Sequence, residues 1–451
     1  MNNQTNPFPR RSFLKTTGAA LGATALGFPQ LVAARVLGAA GQPGAKDRLT
    51  VAHIGIGGMG NYHLGDMVRR MNKGEVNIAA VCDVNAKSLA RAAETAGEQA
   101  KTYKDYRHVL ERKDIDAVVI GTPDHWHAVQ TVHAAECGKH VYVEKPACCT
   151  IEEGRAMVAA ATRNKIAVQV GSQGRSQPEA YAAHLYMANG LLGKVRRVTC
   201  WHYASPSDDR PVPDTNPPPG LDWDLWLGPL PWRPYNARLA PGTFRWMMES
   251  GGGQIRDRGA HVMSCALWFM GADHTGPVTV EAKGTLPTKG IWDSAVTMEV
   301  VYEFKNPDWT LVWSQPGERV PYFDREKAKK LGIRDGYGAV YHGDKDNLIV
   351  WVGDSQVFTE LKAVNFTKPP GGVEVYKSPG QIEDWFLGIK TGKKTVMNIE
   401  AAVATANLTI LGNLSLLLGR QLRWDARTQE IVGDDEARRM MSRPQRYPYV
   451  L

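Results

Sequence analysis

The chain has 451 residues, 43% of them hydrophobic and 22% charged, with 54 Lys and Arg against 46 Asp and Glu. Four of those cations and none of the acids lie in the first 40 residues, so the net charge of +8 falls to +4 without them. No basic run remains to suggest a nucleic-acid partner, and the six cysteines (Cys82, Cys137, Cys148, Cys149, Cys200, Cys265) show neither C-x-x-C spacing nor the density of a disulfide scaffold.

Pro9-Arg10-Arg11-Ser12-Phe13-Leu14-Lys15 matches a twin-arginine export signal. The weakly apolar residues 16–28 that follow fall short of the roughly 18 apolar residues a membrane-spanning helix needs. Small residues around Ala33 and Ala39 offer cleavage sites. The expectation is therefore a signal peptide and linker over residues 1–46, export to the periplasm by the twin-arginine machinery, and no stable membrane insertion after cleavage. The roughly 410 residues beyond it are enough for two domains with full cores.

Residues 49–54 form a short apolar strand, and Gly55-Ile56-Gly57-Gly58-Met59-Gly60 supplies a G-x-G-x-x-G turn before a helix over 61–70. The three glycines of such a turn permit the tight bend, backbone approach to a pyrophosphate, and close helix–strand packing. Phosphates would sit on the positive end of the helix, against its unpaired N–H groups. A second apolar run over 76–82 ends at Asp83, about 20 residues beyond the turn. A carboxylate there accepts hydrogen bonds from ribose hydroxyls and repels a 2′-phosphate, which favours NAD over NADP.

Strand and helix then alternate to about residue 171. Helices are expected over 85–96, 105–112, 125–137 and 150–164, and strands over 117–120, 140–143 and 167–170. This grammar implies right-handed crossovers and a doubly wound sheet. After a helix over 179–189, period-two alternation takes over, with Val278, Val280 and Ala282 against Thr279, Glu281 and Lys283, and Met298, Val300, Tyr302 and Phe304 against Thr297, Glu299 and Glu303. Residues 348–352 are similar. This is a half-buried antiparallel sheet with one face free for solvent or a partner subunit. A wide apolar face left open would be an association site, hence an expected homo-oligomer. A proline-rich loop over 206–219 and a Trp-dense segment over 223–246 have the length of binding loops or arms. A closing helix spans 399–418.

Two constellations carry chemistry. Glu144-Lys145-Pro146 lies at a strand's C-terminal end, where ligands bind in open α/β sheets. An ammonium there lowers the cost of developing alkoxide charge, although a Glu–Lys surface pair before a structural proline fits the residues equally well. In Gly251-Gly252-Gly253-Gln254-Ile255-Arg256-Asp257-Arg258-Gly259-Ala260-His261, Asp257 and His261 are four apart and share one face if helical. A carboxylate and an imidazole of near-neutral pKa suit oxidation of a secondary alcohol; a capping Asp and a core His are the alternative.

Those motifs together with Thr122-Pro123-Asp124-His125-Trp126-His127 and Asp222-Trp223-Asp224-Leu225-Trp226-Leu227-Gly228-Pro229 resemble the glucose–fructose oxidoreductase/inositol dehydrogenase (Gfo/Idh/MocA) family, in its twin-arginine-exported subgroup. The resemblance covers nearly everything after residue 48. It implies an α/β Rossmann-like dinucleotide-binding domain over 47–175 and an α+β domain with an open, mainly antiparallel sheet over 176–451, with helix 399–418 packing back on the first domain. It also implies NAD held by Gly55, Gly57, Gly58, Met59, Gly60, Asp83, Thr122, Pro123, His127, Glu144 and Lys145, and a sugar or polyol bound beside Lys145, Asp257 and His261. One departure is Cys265, where members of that family often carry another Asp.

His125 and His127 form an H-x-H pair with no further ligand at metal-binding spacing, so no metal site is expected. The tryptophans Trp201, Trp223, Trp226, Trp232 and Trp246 suit either sugar stacking or packing. The expected function is NAD-dependent oxidation or reduction of a sugar or polyol secondary alcohol with a tightly bound, internally recycled cofactor. Alternatives are NAD-dependent glycoside cleavage by transient oxidation and elimination, and a non-catalytic NAD-binding protein.

Overall fold

The computed structural model describes residues 48–320, 324–330, 336–353 and 356–451. The expected signal peptide and linker over 1–46 lie outside them. From Leu49 onward the chain forms one compact unit.

Its first sheet is doubly wound. Strands β1 (Leu49–Ile54), β2 (Val76–Cys82), β3 (Lys101–Tyr103), β4 (Ala117–Ile120), β5 (His140–Val143) and β6 (Val168–Val170) are ordered β3-β2-β1-β4-β5-β6. Every pair in this sheet is parallel. Strands β4 and β1 are almost wholly buried, as the uniformly apolar Ala117-Val118-Val119-Ile120 requires. The short edge strand β3 has two exposed residues, which is why its periodicity gave no signal. Local capping sets the helices: Asn85 accepts from the N–H groups of Lys87 and Ser88, Asp105 accepts from Arg107, and Thr150 and Glu153 form a reciprocal capping box. The helix after the glycine turn begins earlier than its apolar pattern suggested, at Gly58, with Gly57 as its N-cap.

The second sheet has nine strands. They are β7 (Val195–Trp201), β8 (Pro277–Thr285), β9 (Thr297–Phe304), β10 (Trp309–Gln315), β11 (Gly338–Gly343), β12 (Asn347–Val352), β13 (Val357–Thr359), β14 (Leu422–Asp425) and β15 (Glu430–Ile431). Their order is β13-β12-β11-β7-β10-β9-β8-β14-β15, antiparallel except where β10 runs parallel to β7. The alternation read in β9 holds: Met298, Val300, Tyr302 and Phe304 are all in the core.

The opposite face differs from expectation. Glu281, Lys283, Glu299 and Glu303 point outward across β8 and β9, opposite the buried set. The apolar end of that face, Trp201, Val340, Ile349 and Trp351, is covered by Val320 and Ala328. Among the described residues the sheet therefore presents mainly polar side chains, because its apolar stretch is already packed. It offers no wide apolar association surface of the kind expected.

Helix Ile399–Leu418 is long and apolar enough to cross a membrane, yet it is a core helix with most of its residues buried. It ties the two sheets together. Tyr302 donates to the Leu408 carbonyl (2.8 Å) and Ala282 N–H to Ser415 Oγ (3.0 Å). On its other side Val403 lies so close to Gly154, in helix Ile151–Asn164, that a Cβ on that glycine would fall 2.8 Å from Val403 Cγ1.

The closest packing in the first sheet is at Gly60, where a Cβ would fall 1.8 Å from the Gly55 carbonyl oxygen. Neither backbone group can retreat without moving β1 from its helix. Gly60→Ala is expected to destabilise the chain by about 1–3 kcal/mol, read as a lowered melting temperature together with weakened NADH fluorescence titration.

Candidate active site

The glycine turn is built as a cradle. Gly55 has φ +80°. A Cβ on Gly57 or Gly58 would meet nothing within 4 Å, so the turn leaves open space on its outer side. No side chain caps the helix that starts at Gly58, and its first N–H groups are left for an anion. Gly60 faces inward instead, against Gly55 and Gly121, and packs the cradle rather than lining it. At the end of β2, Asp83 Oδ2 accepts from Ile56 N–H (2.6 Å) and Oδ1 from Asn85 N–H (2.8 Å). Burial raises its pKa, opposed by those N–H groups and by Arg91. Each oxygen keeps a lone pair for a ribose hydroxyl. Cradle, helix end and carboxylate fit a dinucleotide.

A cavity of about 420 Å³ runs from this cradle past Asp83, Thr122, Pro123 and His127 to Glu144 and Lys145. A second, of about 330 Å³, continues past Gln173, Gln254, Asp257 and His261. Met59, Glu144, Lys145 and Arg245 line both, and so mark where a cofactor's reactive end would meet a substrate.

Lys145 sits at that junction. Its Nζ donates to Asp257 Oδ1 (2.5 Å) and to the Asp257 backbone carbonyl (3.2 Å). The second bond exists because the expected continuous helix does not. Helix Gln254–Asp257 ends, Arg258 intervenes, and a new helix runs over Gly259–Phe269. His261 N–H bonds to the Arg258 carbonyl rather than reaching back to Asp257. The freed Asp257 carbonyl is taken by Lys145. Asp257 and His261 therefore belong to two successive short helices joined through Arg258, whose backbone stays helical (φ −92°, ψ −33°), and both line the second cavity.

The electrostatics follow from crowding. Burial opposes ionisation of Asp257, but Lys145 together with Arg245 and Arg258, each with Nε 3.4 Å from a carboxylate oxygen, holds its pKa well below the usual range. Burial pushes the His261 pKa well below 6.5, helped by the positive charges of Lys145 and Arg258. The near-neutral imidazole expected from the sequence is therefore corrected: its resting form is neutral because an imidazolium would be buried beside the cations already gathered there. Glu144 does not face the substrate as a free acid. His63 Nε2 lies 2.7 Å from its Oε1, Gln173 donates to the same oxygen (3.1 Å), and Lys145 N–H reaches Oε2 (3.2 Å). Despite burial, His63 and Lys145 keep its pKa low.

His127 braces two loops, with Nδ1 2.8 Å from the Pro146 carbonyl and Nε2 2.9 Å from that of Thr122. His125 Nε2 lies 2.9 Å from the Trp226 carbonyl. Among the described residues no group of three metal-ligating side chains forms. Cys265 is buried beside Gly174, behind the site. Of the tryptophans, Trp201 is core and Trp232 is exposed, while Trp226 lines the first cavity and Trp246 the second. Sequence reasoning missed Arg245, Arg258, His63 and Gln173. Arg258, inside the Asp257–His261 stretch, and Arg245, inside the Trp-dense segment, lay where a signal could be sought.

A glycine cradle at a helix end, a strand-end carboxylate and a cationic junction leading to a polar cavity fit a bound dinucleotide with a second ligand beside it. The chain belongs to the Gfo/Idh/MocA oxidoreductase family: the family's NAD-binding Rossmann-fold model matches residues 49–172, and its C-terminal alpha/beta-domain model matches 190–305 and 340–451. Its cofactor is NAD. Among relatives, a glycosyl hydrolase family 109 protein of Saccharopolyspora erythraea is 32% identical over 208 residues, covering 43% of this chain and 45% of the relative. The levoglucosan dehydrogenase of Pseudarthrobacter phenanthrenivorans is 35% identical over 115 residues, covering 26% and 29%. The chain thus spans less than half the length of either. A levoglucosan dehydrogenase structure in complex with NADH and levoglucosan shares the fold, with a TM-score of 0.59 at 20% identity, covering 83% of this chain and 99% of that one.

Burial also keeps His53 and His125 neutral, each with a pKa lowered to about 3, and His184 with one lowered to about 4. With His261, and with His140 and His342, whose pKa values burial also lowers, six histidines have folded pKa values below the unfolded 6.5. As pH falls through 6.5 the unfolded chain takes up these protons first, so stability present above 6.5 is lost progressively toward pH 4. Each contributes up to about 1.4 kcal/mol per pH unit. Thermal melts at pH 7.5, 6.5, 5.5 and 4.5 are expected to fall steadily below 6.5, and His53→Gln should flatten the slope.

Proposed function

We propose that the protein oxidises or reduces a secondary alcohol carbon of a sugar or polyol, using NAD that stays bound between turnovers. The observation that carries this is the junction itself: Lys145, held at 2.5 Å by a buried carboxylate, faces the same cavity as His261 where that cavity meets the cofactor cradle. Bound NAD supplies the hydride acceptor or donor. The side chains do the rest. Lys145 sits where its ammonium polarises a substrate hydroxyl and offsets alkoxide charge as it develops. Asp257, kept ionised, fixes the direction of that ammonium. His261 is the neutral acceptor for the hydroxyl proton; its lowered pKa costs driving force for the transfer but keeps the accepting form populated through acid pH. The carboxamides of Gln173 and Gln254 in the cavity wall suit a polyhydroxylated ligand. The name of the levoglucosan dehydrogenase relative supports a sugar.

The likeness to family 109 glycosyl hydrolases favours a second use of the same groups. A carbon oxidised transiently makes its neighbour's C–H acidic; elimination takes that proton and expels the aglycone, water adds to the resulting enone, and return of the hydride from NADH to the carbonyl leaves no net redox change. A purely NAD-binding role has no need of Lys145, Asp257 and His261 together. The motif around Arg10 and Arg11 supports twin-arginine export to the periplasm, a route that carries proteins already folded and loaded. Without a free nicotinamide pool outside, the cofactor would have to be regenerated in place.

His261→Ala is expected to lower turnover roughly 10²–10⁴-fold with NADH titration near normal, and Lys145→Ala to lower turnover comparably. In wild type, kcat against pH should show no acid limb at 6.5, because His261 is already neutral there; a limb at 6.5 removed by His261→Ala would contradict the assignment. Nitrophenyl glycosides separate the two uses, since cleavage releases aglycone with no lasting gain in NADH absorbance.

Retention is checked by dialysing protein purified through its export route and measuring bound nicotinamide by absorbance and mass. Near-full occupancy is expected, corresponding to a nanomolar Kd or about −12 kcal/mol; an empty protein that needs millimolar NAD would sink the closed cycle.

A further inference from the structure

The cofactor cavity has a second wall. Beyond the cradle, Asp83 and Thr122, it is lined by Leu221, Trp226, Tyr235 and Pro241, from the loop and Trp-dense segment between β7 and β8. This segment is more than a neighbour. Directly after Asp83, residues 84–86 pair with residues 220–222: Asp222 N–H donates to the Val84 carbonyl (3.0 Å), Ala86 N–H to the Gly220 carbonyl (2.8 Å), and Asn85 and Leu221 face each other in an antiparallel bridge. Gly220 has φ +84°, and a Cβ there would lie 3.1 Å from that of Ala86, so the two strands of the pairing approach closely. Val84 and Leu221 pack into the same apolar cluster as Trp223 and Trp226, whose rings stack 4.7 Å apart.

A second fastening lies a few residues further along the segment, at Asp224 to Pro229. The Trp226 carbonyl accepts from Trp126 Nε1 (3.1 Å) on helix Asp124–Glu136. Arg446 binds the Asp224 carboxylate, the Asp224 carbonyl (2.7 Å) and the Gly228 carbonyl (3.0 Å), and its own N–H reaches the Pro229 carbonyl (3.1 Å). Arg446 is itself held to the first domain, because Tyr449 packs on Trp126 at 5.2 Å and Arg443 donates to Glu153 (2.9 Å).

We infer that residues 218–246 form a strap over the adenosine half of NAD, pinned at 84–86 and latched by Arg446, and that NAD leaves only when the strap lifts. The ribose carboxylate is the residue just before the pinned stretch, so the adenosine occupies the space the strap roofs. Lifting the strap breaks the two backbone hydrogen bonds and exposes Val84 and Leu221 to water, whereas the cradle alone would leave that end open. The inference rests on the NAD-binding cavity of the proposed function, and it explains retention by a rate of release.

The test is the dissociation rate of NADH from the full chain, followed by fluorescence during a chase with excess NAD. Residues facing each other in an antiparallel bridge lie roughly 4.5–5.5 Å apart at Cα, within the span of a disulfide. Asn85→Cys/Leu221→Cys, in a Cys137→Ser background because Cys137 is exposed, is loaded with NADH and measured oxidised and then reduced. The same molecules in two states control for folding. The oxidised form is expected to release NADH at least tenfold more slowly than the reduced form, and Arg446→Ala at least tenfold faster than wild type. Equal rates in the oxidised and reduced forms would overturn the strap. Wild type that empties in seconds while the disulfide still slows release would sustain the strap and remove the retained-cofactor mechanism. Wild type that holds NADH for hours, indifferent to both changes, would do the reverse.

Discussion

Lys145 and Asp257 meet across the two halves of the molecule, and the rest of the site is arranged around their contact. Lys145 follows β5 of the parallel sheet; Asp257 closes a short helix from the segment that leads into the second sheet. Their side chains are 9% and 8% exposed. Removing two charges from water costs several kcal/mol per ion, repaid only by close geometry and further partners. Both conditions are met. The helix breaks at Arg258, which releases the Asp257 carbonyl to Lys145, and Arg245 and Arg258 close on the carboxylate from other directions. Burial, helped by the charges of Lys145 and Arg258, keeps His261 neutral. One ion pair therefore sets the ammonium's direction.

The supporting layer behaves in the same way. Glu144 is the residue before Lys145, and its carboxylate is spent on His63, Gln173 and the Lys145 N–H. That network fixes the backbone from which Lys145 projects. It also couples the loop to helix Gly58–Asn72, so Lys145 is braced by the helix that begins at the glycine cradle. Cofactor and substrate sites are mechanically one structure, which is why Met59, Glu144 and Lys145 line both cavities.

Much was legible in the residues alone. The glycine turn, the strand ending at Asp83, the apolar run before Glu144 and the alternation of β9 are local patterns, set by sterics and by which side of a strand faces oil. They hold because each is decided within a few residues. So was the closing helix, whose apolar length and Gly419 stop placed it at Ile399–Leu418. Strands β7, β10 and β11 gave weaker signals: β10 is buried at nearly every position, which erases alternation, and β7 opens on Arg196 and Arg197 at its exposed end.

By itself, then, the sequence determined the parallel sheet, the cofactor cradle, the preference for NAD and the identity of Lys145, Asp257 and His261 as chemical groups. Only the tertiary structure decided what those groups are. Whether Glu144 is an acid or a brace, whether His261 is charged, and whether the Trp-dense segment binds sugar or roofs the cofactor depend on residues tens to hundreds of positions away: His63, Arg245, Arg446. Charge and burial are sums over everything nearby in space, and no local pattern carries that sum.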